Sequence, residues 1–157
     1  MADDLSQHEQ RKFWRLRWLS SLQAFADPEV QSARWTDSNE RNPHFSFVEC
    51  MCCYFDDADL NDQGAYARRI ERGYVSDDEA EVLAEFHQLA DGYSPPNGDD
   101  YDVEAILADP NWQAVVTTAR LTQARLVVLL TDPDEVAALT RPVVWKPVGN
   151  GYEGQFP

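Results

Sequence analysis

Apolar residues recur at helical spacing along most of the chain. Trp14, Trp18, Leu22 and Phe25 fall at i, i+4, i+8 and i+11, and Leu16 and Leu19 widen the stripe, which predicts an amphipathic helix over residues 7–26. Arg11, Lys12, Arg15 and Arg17 then read as its basic outer face. Asp27 and Pro28 form a helix-start pair: the carboxylate caps, and the proline occupies a first position that needs no N–H. Residues 36–43 (TDSNERNP) read as a loop.

A helix is predicted next from about residue 45 to residue 55. At about 100° per residue, Phe45, Val48, Cys52 and Phe55 share one face. That phase sends Cys52 toward the core and leaves Cys50 and Cys53 at its edge, near Glu49 and Asp57. Residues 64–72 predict another helix, stopped by Gly73. Ser76 and Glu79 have capping-box spacing ahead of a helix through about Leu89, whose apolar positions are Val82, Leu83, Phe86 and Leu89.

Residues 91–101 (DGYSPPNGDDY) are a Pro/Gly loop, and a short helix follows around Val103–Leu107. Asp109-Pro110 repeats the start signal, and Trp112, Val115, Val116, Ala119, Leu126 and Leu130 make one stripe of the helix it opens. The β-branched pieces within 115–130 also fit buried strands. Asp132-Pro133 is a third start. Past Arg141 the helical period stops, and Asn150-Gly151 is a hairpin-turn signal. The expected architecture is therefore an all-α single-domain bundle of about six or seven helices over 1–141. Residues 142–157 follow as a short β-hairpin or an extended arm, packed on the domain or on a partner through Trp145 and Tyr152.

Composition supports a packed core. The chain has 157 residues, 43% of them hydrophobic and 11% aromatic, enough for one domain and too apolar for a disordered chain. No run of roughly 18 apolar residues is present to span a membrane. The first ten residues lack the basic and apolar regions of a signal peptide. The three cysteines lie within four residues and cannot staple distant loops, so a reduced, cytoplasmic protein is expected.

Charge changes the picture most. The net charge is −15, and residues 56–110 carry sixteen acids against Arg68, Arg69 and Arg72. This field disfavours nucleic acid and anionic membrane as partners and favours a basic protein or a cation. The expected partner-binding surface is acidic: Asp56, Asp57, Asp59, Asp62, Asp99, Asp100 and Asp102. In charge and size, though not in residues, the chain is comparable to small acidic inhibitors of basic nuclease toxins, such as bacterial immunity proteins.

Candidate chemistry adds alternatives. Cys50 and Cys53 form a C-x-x-C, but a zinc site needs two further ligands, and neither a second pair nor the spacing of His8, His44 and His87 supplies them. Asp57, Asp59 and Asn61 match the opening of a calcium loop, yet the sixth position is Asp62 rather than glycine and the twelfth is Arg68 rather than glutamate. Asp78, Glu81 and Glu85 share a helix face, as metal-binding acids do in helical nucleoside-triphosphate pyrophosphohydrolases. Those enzymes face a second acidic pair across the metal, whereas Asp99, Asp100 and Asp102 here begin in a loop. A non-enzymatic partner-binding module without cofactor is the favoured reading. A Mg²⁺-dependent pyrophosphohydrolase, weak Mg²⁺ or Ca²⁺ binding, and a structural homodimer are the alternatives.

Overall fold

In a computed structural model, which describes residues 5–37, 46–148 and 151–155, every α-helix except the one at 65–71 starts on a side-chain cap. Helix α1 (Gln7–Phe25) opens on a capping box between Ser6 and Glu9. Asp27, Ser46, Asp102, Asp109 and Asp132 cap α2 (Pro28–Arg34), α3 (Phe47–Cys52), α6 (Val103–Ala108), α7 (Pro110–Val127) and α8 (Pro133–Thr140). Helix α4 spans Ala65–Glu71 and α5 spans Asp77–Asp91, the latter opened by the Ser76–Glu79 capping box. Gly73 ends α4 with φ +76°. It donates to the Ile70 carbonyl while Tyr74 donates to that of Arg69, the paired bonds of a left-handed helix stop.

The strand alternative for 115–130 gives way to helix as far as Val127, with a turn at 128–129, and Trp112, Val115, Val116, Ala119 and Leu126 make one buried stripe of α7. After α8 a short hairpin pairs β1 (Val144–Val148) antiparallel with β2 (Gly151–Gln155), Val144 opposite Gln155. Asn150, Phe45 and His44 lie outside the described residues, as do the side chains of Trp145 and Tyr152.

Helix α1 runs through the middle of the bundle, against α8, α7 and the segment after α3. Its predicted stripe is inward: Trp18, Leu19, Leu22 and Phe25 are fully buried, and Trp14 stacks on Trp18 at 5.3 Å. Phe25 meets Tyr54, Phe86 and Trp112 in one aromatic core. Gln31 closes the end of α1. Its amide donates to the Ala24 and Phe25 carbonyls and its oxygen accepts from Trp112 Nε1 at 3.1 Å, so polar groups buried at the helix end are satisfied.

Two expectations are corrected. Arg15 is buried rather than outward, because its position continues a second stripe, Arg15–Leu19–Leu22–Ala26, which also faces the core. The cysteine phase is reversed: Cys50 is core and Cys52 is only partly buried. Ser46 starts α3 so that Phe47, Cys50 and Tyr54 line the inner face at i, i+3 and i+7. Residues Cys53–Asp57 then widen into a π-helical turn, followed by a bond from Leu60 N–H back to the Phe55 carbonyl at 2.9 Å. The wide turn lets Tyr54 and Phe55, adjacent in sequence, both point inward.

Candidate functional site

The sequence places one cation among apolar neighbours, and the fold surrounds it with carboxylates. Arg15 Nη1 and Nη2 bond Glu79 at 3.0 and 2.7 Å, Nε bonds Glu135 at 2.5 Å, and Nη1 also donates to the Tyr74 carbonyl at 2.7 Å. The three residues are 3%, 5% and 6% exposed. Burial acts against the charge on Arg15, but the bonds to Glu79 and Glu135 outweigh it and raise the guanidinium pKa. Burial likewise opposes the charge on Glu79, and its bonds to Arg15 and Ser76 hold its carboxyl below the usual range. The triad joins α1, α5 and α8 and is closed to solvent, so its geometry is that of an internal clasp.

A second polar array runs through the aromatic core. Trp18 Nε1 donates to Tyr66 Oη at 3.0 Å, Tyr66 and Tyr54 hydroxyls lie 2.6 Å apart, and Tyr54 Oη is 2.9 Å from His87 Nδ1. Indole can only donate. The arrangement that gives every proton an acceptor therefore runs Trp18 to Tyr66 to Tyr54 to a neutral His87. Burial lowers the His87 pKa against the opposing pull of Asp91, in keeping with that neutral acceptor. Burial raises both tyrosine pKa values, so the hydroxyls stay protonated.

The thiols are not activated. Burial pushes Cys50 up, and burial with the fields of Asp57 and Glu49 pushes Cys53 up to about 12. Burial and a bond to Asp56 raise Cys52. Thiolate is the reactive form, so this pattern opposes nucleophilic and redox chemistry at Cys50 and Cys53.

The acidic residues separate into three groups. Asp57, Asp59 and Asp62 are exposed but already face cations: Arg17 at 3.5 Å, Arg69 at 3.3 Å and Arg68 at 2.7 Å. Asp56 accepts from Asn61 at 3.3 Å. Asp99 holds the Tyr101 amide and Asp102 caps α6, while Asp100 is exposed in the same loop. Asp78, Glu81 and Glu85 form the third group on the outer face of α5 and make no ion pair among the described residues.

Beside this third group lies the C-terminal half of α7. An open cleft of about 390 Å³ is lined by Asp78, Glu81, Val82, Arg125 and Leu129. The first turn of α5 thus meets the last turns of α7, and the two helices run antiparallel. Leu121 of this half of α7, and Val128 and Leu129 in the turn after it, are 55%, 78% and 40% exposed. Across the cleft from the α5 carboxylates stands a guanidinium, where a metal-assisted site calls for a second carboxylate group. Among the described residues, no three His, Cys, Asp or Glu side chains converge with metal-binding geometry.

Sequence reasoning missed Arg15 and the Tyr54–Tyr66–His87 chain. Arg15 carried a signal, its place in the Leu19–Leu22–Ala26 stripe; the tyrosine chain is assembled from three separate elements and carried none. No helix among the described residues is long and apolar enough to cross a membrane. No protein-family model matches the chain, and no significant match to it was found among curated proteins or solved structures.

Proposed function

We propose that this protein is a partner-binding module that presents an acidic surface to a basic protein. The carrying observation is the distribution of counter-ions. Lys12, Arg15, Arg17, Arg68 and Arg69 are engaged with carboxylates of their own chain, while Asp78, Glu81 and Glu85 face outward without an ion pair among the described residues. With a net charge of −15, such a surface steers a cationic partner toward contact and raises the encounter rate. Raised thiol pKa values and the Arg125-lined cleft support binding over chemistry at the same residues. An inhibitor that covers the basic surface of its target is the finer form of this reading, carried by charge and size.

The test is an interaction screen against proteins of the native host at low and high ionic strength, with each hit then purified and titrated by calorimetry. The expected result is a basic partner whose affinity falls steeply as salt screens the contact. Salt-independent binding alone would overturn the reading. So would the absence of any partner together with Mg²⁺-dependent hydrolysis of a nucleoside triphosphate.

A further inference from the structure

We propose that the α5–α7 face is the docking groove and that its occupant is an amphipathic basic helix of the partner. The inference rests on the partner-binding reading and locates it. On α5, Asp78, Glu81 and Glu85 stand at i, i+3 and i+7, a row about 10 Å long at 1.5 Å per residue. On antiparallel α7 and the turn that follows it, Leu121, Arg125, Val128 and Leu129 are exposed, and Arg125 and Leu129 line the cleft opposite Asp78 and Glu81. Two of the carboxylates, Asp78 and Glu81, thus share a cleft with Val82 and exposed Leu129, and Leu121 and Val128 are further exposed apolar residues of the same segment. A ligand that matches both carries cations on one edge and apolar side chains on the next, which is the surface of an amphipathic basic helix.

Charge decides between the acidic groups. Around Asp57, Asp59 and Asp62 the protein's own arginines already occupy the carboxylates, and Asp99 and Asp102 hold their loop. The α5 row makes no ion pair among the described residues and shares its cleft with exposed Leu129. The cleft fits a lysine or arginine side chain, with its aliphatic stem on Val82 and Leu129 and its head toward Asp78 and Glu81. Arg125 on the opposite wall repels a uniformly cationic ligand, so it sets register and favours a sequence of mixed charge. A second copy of this chain would bring the same carboxylates against this face, which like-charge repulsion disfavours.

The test uses the full chain and three synthetic probes: a two-faced helical Leu/Lys peptide, a scrambled peptide of the same composition, and hexalysine. Leu129→Asp and Glu81→Lys are the on-face variants, both at exposed positions, and Asp99→Asn/Asp100→Asn is the off-face control. Circular dichroism and thermal melting establish that each variant is folded. The two-faced peptide is expected to bind about tenfold or more tighter than the scrambled one, and each on-face variant to lose about tenfold, as removal of a central contact does. The off-face control should stay within about twofold, the size of a screened rim charge. Arg125→Gln should strengthen hexalysine binding. Unchanged binding in both on-face variants, or loss confined to the off-face control, overturns the location and leaves the partner-binding reading standing. Equal affinity for two-faced and scrambled peptides overturns the amphipathic helix as occupant. If neither peptide nor hexalysine binds at low salt, the groove is overturned, and the host-protein screen independently decides the parent reading.

Discussion

Arg15 and Glu79, 64 residues apart in sequence, form a two-pronged ion pair at 3.0 and 2.7 Å with both side chains closed to solvent. Glu135 completes the contact from α8. Desolvating charged groups is costly, and here two carboxylates share one guanidinium, so Arg15 holds the two acids in the interior.

Replacing Arg15 should therefore be far more damaging than replacing an exposed arginine. Arg15→Met leaves two buried carboxylates without their cation and should cost about 3–5 kcal/mol, read from the urea-unfolding midpoint. Adding Glu135→Gln to it should recover part of the loss, because one stranded charge is removed. A cost near that of exposed Arg68→Met would contradict an interior clasp.

Acid should loosen the same contact. The folded-state pKa of Glu79 lies below its ordinary value of 4.5, so its contribution is complete above pH 4.5 and disappears as pH falls through the lowered folded value. A plot of unfolding free energy against pH should show this acid limb in the native chain. Glu79→Gln should lower stability near neutrality and flatten that limb.

His87 should titrate late. Its pKa is lowered from 6.5, so NMR of its ring should show a neutral imidazole with unprotonated Nδ1 at pH 6.5. The sign matches that of Glu79: stability from the neutral ring is complete above 6.5 and is lost as pH falls through the folded value. Protonating Nδ1 makes it a donor and takes away the acceptor of the Tyr54 hydroxyl, and because Trp18 can only donate, the chain cannot reverse to give every proton an acceptor. Tyr54→Phe removes the middle link and should cost about 1–3 kcal/mol by stranding His87 and Tyr66.

Thiol labelling should follow burial and field. Under native conditions Cys50 and Cys53 should react with a thiol-specific disulfide reagent far more slowly than an unfolded control at the same pH, and Cys52 should react first. Rapid native labelling of Cys50, resolved by peptide mass mapping, would contradict its place in the core.

Much of the helical frame was legible because its signals are local. Serine and aspartate caps, the Asp-Pro starts and the Trp14–Phe25 stripe act within a few residues of themselves. Arg15 was misread because a cation beside Arg11, Lys12 and Arg17 looks solvated, and only α5 and α8 supply what satisfies it. The cysteine phase was misread for a different reason. A 100° periodicity assumes an uninterrupted α-helix, and the π-helical turn at Cys53–Asp57 changes the phase where Tyr54 and Phe55 turn inward. Among the acids, sequence marked a charged third only as a region. It could not separate Asp57, Asp59 and Asp62, whose arginines come from α1 and α4, from Asp78, Glu81 and Glu85, which have no such counter-ion among the described residues.

Glu79 accepts from the Ser76 amide at 2.8 Å with the same oxygen that meets Arg15 Nη1, so one carboxylate both starts α5 and locks it to α1. That double use couples fraying to disassembly. The first turn of α5 cannot unwind on its own without surrendering a buried ion pair, so its amides should exchange with solvent only through large cooperative openings. A helix terminus is ordinarily among the first places to breathe; here it is tied to a buried ion pair.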